Sequence, residues 1–148
     1  MALGSMISFY RAKDEEDAVA VTDWMGQFGS RLTIDELLDS LADPRFNVRF
    51  EAILAIARIP ADPRLTEALL HVLQNKSPAL SVVAAGAIGK MGAKEAIPSL
   101  HDSLDSRYRS VQGYSARALA TLGNKEVAPK LLTRFERELD DGLSVAYG

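Results

Sequence analysis

The chain has no cysteine, which excludes disulfides and thiolate metal sites and leaves the redox compartment open. Histidine is nearly absent too, with only His71 and His101, and only His101 has an acid, Asp102, beside it. A catalytic metal site needs about three converging ligands, so no metal and no cofactor is expected. No apolar run approaches the ~18 residues of a membrane span, which argues against direct membrane insertion. Aromatics make up only 7% of residues while Ala and Leu are plentiful, a balance that favours helices packed through small residues over a β-sandwich. A net charge of −3 gives no bulk attraction to nucleic acid or anionic lipid. What is present is 148 residues, 47% of them hydrophobic, enough for one domain with a real core. Met1–Ser5 lacks the basic and apolar regions of a signal peptide and reads as a cloning remnant ahead of Met6. The native segment would then begin at Met6 or be cut from a longer protein.

Self-similarity organises the rest. Stretches beginning at Val48, Leu80 and Val111 align over twelve residues, offset by 32 and then 31. Position 5 holds Ala52, Ala84 and Ser115; position 9 holds Ile56, Ile88 and Leu119; position 12 holds Ile59, Met91 and Leu122. Position 10 is always tiny, as Ala57, Gly89 and Ala120, and each stretch ends at a breaker, Pro60, Gly92 or Gly123. A second helical pattern precedes each stretch: Leu37, Leu38 and Leu41; Leu69, Leu70 and Leu73; Ile97, Leu100 and Leu104. The links Asp43-Pro44, Ser77-Pro78 and Asp105-Ser106 carry turn and N-cap chemistry. Each unit is therefore helix–turn–helix, and such a pair covers its apolar face only by stacking on neighbours. The expected fold is all-α, a right-handed α-α superhelix of antiparallel pairs. Leu41, Ile56, Leu73, Ile88, Leu104 and Leu119 should be buried, and Gly89 and Ala57 should lie where helices come close.

The repeats are placed at 33–135, as units 33–60, 61–92 and 93–123 with a half repeat 124–135 that carries Leu131, Leu132 and Phe135. Residues 6–32 read as an N-terminal capping helix behind Asp14-Glu15-Glu16-Asp17, ending at Gly29. Ala18, Val21, Trp24, Met25 and Phe28 form its apolar spacing, with Trp24 expected in the core. Residues 136–148 read as a C-terminal cap and frayed tail. A linker helix from an upstream domain is the other reading of 6–32.

The units resemble HEAT-like repeats of the phycocyanobilin lyase type, whose hallmark is a Pro-containing turn, Val-Arg, then an Ala-rich helix ending in Gly. Val48-Arg49 with Ala52, Ile56 and Ala57 matches best; the second and third units have Ser81 and Gln112 in place of the Arg. The run Asp35 to Gly123 is also similar to cytosolic HEAT-like tails of bacterial major-facilitator-type transporters. The resemblance is specific for fold, and it implies function only broadly, because such repeats serve many proteins.

Catalytic chemistry finds little support, and no catalytic residue is assigned. Gly86-Ala-Ile-Gly89-Lys90 lacks the flanking residues of a phosphate loop and falls inside a helix, where the backbone N–H groups are already bonded. Asn75-Lys76-Ser77 fits a glycosylation sequon by chance. By the resemblance, the second helices line the inner face, where the partner-binding candidates are Phe50, Leu54, Arg58, Val82, Val83, Lys90, Arg109, Tyr114 and Arg117. They mix bases with apolar and aromatic groups, as protein interfaces do. An alternative is that Leu54 and Val82 are ordinary inter-repeat core and the bases a solvated rim. The leading expectation is a cytoplasmic, non-catalytic scaffold that docks a protein, as an acidic segment or a neighbouring domain, with no nucleic acid partner. Its alternatives are a regulatory domain tethered to a membrane transporter and a lyase-like chromophore binder. Phe50, Tyr114 and Glu51 are a thin set for a pigment pocket. The oligomeric state is left open.

Overall fold

The computed structural model describes residues 3–28, 33–75 and 77–126, together with 129–131, 133, 136 and 137. Among these residues the chain is helical throughout and forms no strand. Four consecutive pairs are built, α1 (Leu3–Lys13) with α2 (Glu15–Phe28), α3 (Ile34–Leu41) with α4 (Phe46–Ile56), α5 (Pro63–Leu73) with α6 (Pro78–Met91), and α7 (Ile97–Ser103) with α8 (Arg109–Thr121). The second helices stack in series, α2 on α4, α4 on α6 and α6 on α8, and the α4–α6 contact is the shallowest of the three. This arrangement is an α-α solenoid. Gly29, Lys76, Leu132, Phe135 and all but the first two residues of the expected C-terminal cap and tail, 138–148, lie outside the described residues.

Local chemistry explains where each helix begins and ends. Asp62 caps α5 by accepting the Arg64 N–H, and Pro63 and Pro78 occupy first-turn positions where their missing N–H costs nothing. Gly92 and Gly123 adopt φ of 69° and 79°, the left-handed conformation that closes α6 and α8. The next N–H groups, of Ala93 and Asn124, bond back to Ile88 and Leu119 carbonyls five residues earlier, completing both C-caps.

The turn inside each unit is held by one repeated device. Asp43 Oδ1, Asn75 Oδ1 and Ser106 Oγ each accept the N–H two residues on, from Arg45, Ser77 and Tyr108. The carbonyl of that same residue accepts a side chain six residues later. Arg49 donates to the Asp43 carbonyl at 2.9 Å, Ser81 to that of Asn75 at 3.2 Å, and Gln112 to that of Ser106. The second and third units have thus lost the Arg and kept its role.

The core is a single stripe of Leu, Ile and Ala. Of the six expected core positions, Ile56, Ile88 and Leu119 are fully buried, and Leu73 and Leu104 nearly so. Leu41 is only half-buried, because it is the last residue of α3 and solvent reaches it at the turn. Trp24 corrects a larger expectation: it is 39% exposed, as is Phe28 beside it at 69%. The seam of α2 runs instead through Ala18, Thr22, Met25 and Gly26. Thr22 is tolerated there because its hydroxyl donates to the Ala18 carbonyl at 2.7 Å and lies 3.5 Å from Ser40 Oγ.

Small residues set the closest approaches. A Cβ at Gly89 would meet Cα and Cβ of Ala118 at 3.2 Å, so Gly89 marks a tight crossing as expected. A Cβ at Gly26 would lie 2.7 Å from Cα of Ala55, closer still. Ala57 is only half-buried at the C-cap of α4, facing the shallow α4–α6 contact, and Ala120 is exposed. The partner of each glycine is position 8, held by Ala55, Ala87 and Ala118 and buried in all three units.

Candidate functional site

The inner face begins with the crossing of α2 and α4. Arg58, at the end of the second helix of its unit, is held at 2.9 Å by Asp23 and 3.6 Å by Glu51. Asp23 also accepts from Gln27 at 2.6 Å. The Arg58 guanidinium holds the Asp23 carboxyl below its ordinary value. Glu51 is pushed the other way, chiefly by its burial and then by the neighbouring Asp23, with Arg58 only partly offsetting this. Sequence spacing showed neither this carboxylate pair nor its base, since Asp23 comes from a helix read as a cap. Arg58 is therefore occupied by acids of its own chain.

Between α4 and α6 the candidates are half-buried. Phe50 stacks on Phe46 with ring centroids 6.0 Å apart, and both Phe50 and Val83 pack against the core. Leu54 and Val82 are half-buried on the same two helices. Arg45, at the turn before α4, grips both oxygens of Asp43 and also the Arg11 carbonyl, which spends its donors locally. Arg45 keeps the Asp43 carboxyl below its usual value.

Between α6 and α8 the face opens. A cavity of about 330 Å³ is lined by Gly86, Gly89, Lys90, Tyr114, Arg117, Ala118 and Thr121. The Gly89–Ala118 crossing brings the helices together, while a Cβ at Gly86 would meet nothing within 4 Å and leaves the groove open. Lys90 and Arg117 are exposed, and among the described residues neither forms an ion pair. Tyr114 is 45% exposed. No acid lines the cavity. Of the nine candidates, the structure brings Lys90, Tyr114 and Arg117 to one place. Arg109 starts α8, about 12 Å along the helix from Arg117 at 1.5 Å per residue, and is not part of this groove.

A larger, polar cleft of about 450 Å³ lies on the turns of the second and third units. It mixes Asp102 and Asp105 with Arg107, whose guanidinium sits 4.9 Å over the Tyr108 ring, so it presents no single sign. His71 is exposed on α5, and His101 lies 3.2 Å from both Asn124 Oδ1 and Lys130 Nζ. Among the described residues no group of three or more His, Cys, Asp or Glu side chains could hold a metal, and no helix is long and apolar enough to cross a membrane.

Stacked helix pairs, Ala–Gly crossings and second helices packed in series define a helical repeat protein of the solenoid class. The family model for HEAT repeats matches residues 5–80 and again 66–146, and the chain belongs to that family. The first match takes in α1 and α2 as well as the units that follow. It is a match to HEAT repeats in general and does not reach the lyase type or the transporter tail that the sequence resemblance suggested. No curated protein matches the chain.

Proposed function

We propose that this chain is a non-catalytic scaffold of the cytoplasm that docks an acidic, partly apolar segment of another protein on its inner face, in the groove between α6 and α8. The observation that carries the reading is the convergence of Lys90, Tyr114 and Arg117 on one open groove without an acid. HEAT repeats commonly mediate protein interaction. Two bases with no ion pair among the described residues supply attraction, and a half-exposed tyrosine supplies an anchor of the kind interfaces favour. Val82, Val83 and Leu54 are half-buried on α6 and α4 and do not line this groove.

The test uses two synthetic peptides, one alternating Glu with Leu and one with every Glu replaced by Lys, titrated against the full chain by fluorescence anisotropy. The acidic peptide should bind and the basic one should not. Lys90→Glu with Arg117→Glu should weaken binding at least about tenfold, mainly through association rate, while Tyr114→Ala should act on dissociation. The control reverses Glu67 and Glu95, both exposed on the outer side, and should leave binding intact. Equal binding of the two peptides, or loss only in the outer variant, would rule the groove out.

A further inference from the structure

Among the described residues, the N-terminal pair carries most of the large exposed hydrophobic side chains. Met6, Phe9, Tyr10, Trp24 and Phe28, on α1 and α2, are five of the seven large hydrophobic side chains found exposed, the others being Phe46 and Tyr114. Contiguous exposed apolar surface of this kind marks interaction and ligand-binding sites. Within this surface lies a cavity of about 330 Å³, lined by Met6, Ile7, Tyr10, Ala20, Val21 and Trp24. Its one charged lining residue is Asp17.

We infer that this cavity binds a small organic cation of the alkylammonium type. Its volume lies at the small end of the range for small-molecule sites, about 300–1,000 Å³, which suits a quaternary head with a short tail. Tyrosine and tryptophan rings attract cations through their quadrupoles, and a carboxylate beside them adds charge attraction. Anions are disfavoured, because Asp14, Glu15 and Glu16 flank Asp17 at the start of α2. The base near Asp17 is Lys13, 3.6 Å away across the turn between α1 and α2. Such a solvent-exposed i,i+4 pair is weak, so a ligand cation can take the place of the Lys13 ammonium. The site differs in sign and in place from the α6–α8 groove, and either can fail without the other.

The chain has one tryptophan, and it lines this cavity, so its emission reads occupancy directly. The probes are choline and its uncharged carbon isostere, dimethylbutanol, titrated at constant ionic strength set with sodium chloride. Choline should change Trp24 emission saturably and bind at least about fivefold tighter than the isostere. Tyr10→Ala and Asp17→Asn, with circular dichroism verifying the fold, should each weaken choline about fivefold. Lys13→Gln should strengthen it by removing the competitor. No saturable response to choline, equal affinity for the neutral isostere, or an Asp17→Asn variant that binds as before would each overturn the inference.

Discussion

The α2–α4 and α6–α8 crossings share one construction, a glycine on the earlier helix against a position 8 alanine on the later one. They differ in what surrounds that contact. At α2–α4 the approach is closer, and Asp23, Glu51 and Arg58 close over it as an internal ion cluster. At α6–α8 the approach is looser by about half an ångström, Gly86 leaves space, and among the described residues Lys90 and Arg117 form no ion pair. The buried hydroxyls of Thr22, Ser40 and Ser81 are bonded, whereas Ser115 Oγ in α8 has no partner among the described residues. The same crossing is thus flanked by an ion cluster at α2–α4 and by an open groove at α6–α8.

The largest expected effect tests the difference in closeness. Gly26→Leu should destabilise by about 3 kcal/mol, since its neighbour is backbone that cannot yield, and Gly89→Leu by about 1–3 kcal/mol. Alanine sharpens the contrast. Gly26→Ala should still cost stability, while Gly89→Ala should fall within about 1 kcal/mol of neutral, its mild crowding offset by the roughly 1 kcal/mol gained in helix propensity. Equal urea midpoints for the two alanine variants would dissolve the comparison. Ser115→Ala comes next and should stabilise by about 1 kcal/mol, because an unpaired buried hydroxyl is removed at no cost in packing. A loss of thermal midpoint there would mean the hydroxyl is satisfied. The smallest effect is in pH. Glu51 binds its proton more tightly in the fold, so its contribution to stability is full below the ordinary glutamate value and is lost as pH rises through the raised one. Asp23 has the opposite slope: its contribution is present above the ordinary aspartate value and lost as pH falls through the lowered one. Glu51→Gln should therefore leave a stability profile that only rises with pH across the acid range, measured by urea unfolding at stepped pH. A decline with rising pH that persists in the variant would remove Glu51 as its source.

The helical periodicity, the breakers and the repeat offset were legible because they are local. Ile56, Ile88 and Leu119 are buried where the alignment put them. Position 10 drew attention through its small size, but the alanine at position 8 is just as constant and meets the glycine across the crossing. An alignment of one helix type ranks positions by size and does not tell which faces the neighbour. Trp24 was misplaced because Thr22 and Gly26 carry the buried seam of α2, and a hydroxyl and a missing side chain do not register as apolar spacing. Residue type gives Lys90, Tyr114, Arg117 and Arg58 the same standing as candidates. Only the approach of Asp23 from a different pair of helices separates a base that is engaged from two that are not.

The six-residue staple of each turn has a consequence for how the array can change over time. Because Asp43 and Arg49, Asn75 and Ser81, and Ser106 and Gln112 each lie within one unit, a duplicated unit carries its own turn wherever it is copied. Its alanine at position 8 offers the surface that a preceding small residue fits, so a new copy finds a mate on its leading side without compensating substitutions. Lengthening or shortening this stack by whole units is therefore an easy genetic step, whereas exchanging half a unit would sever the staple from its carbonyl.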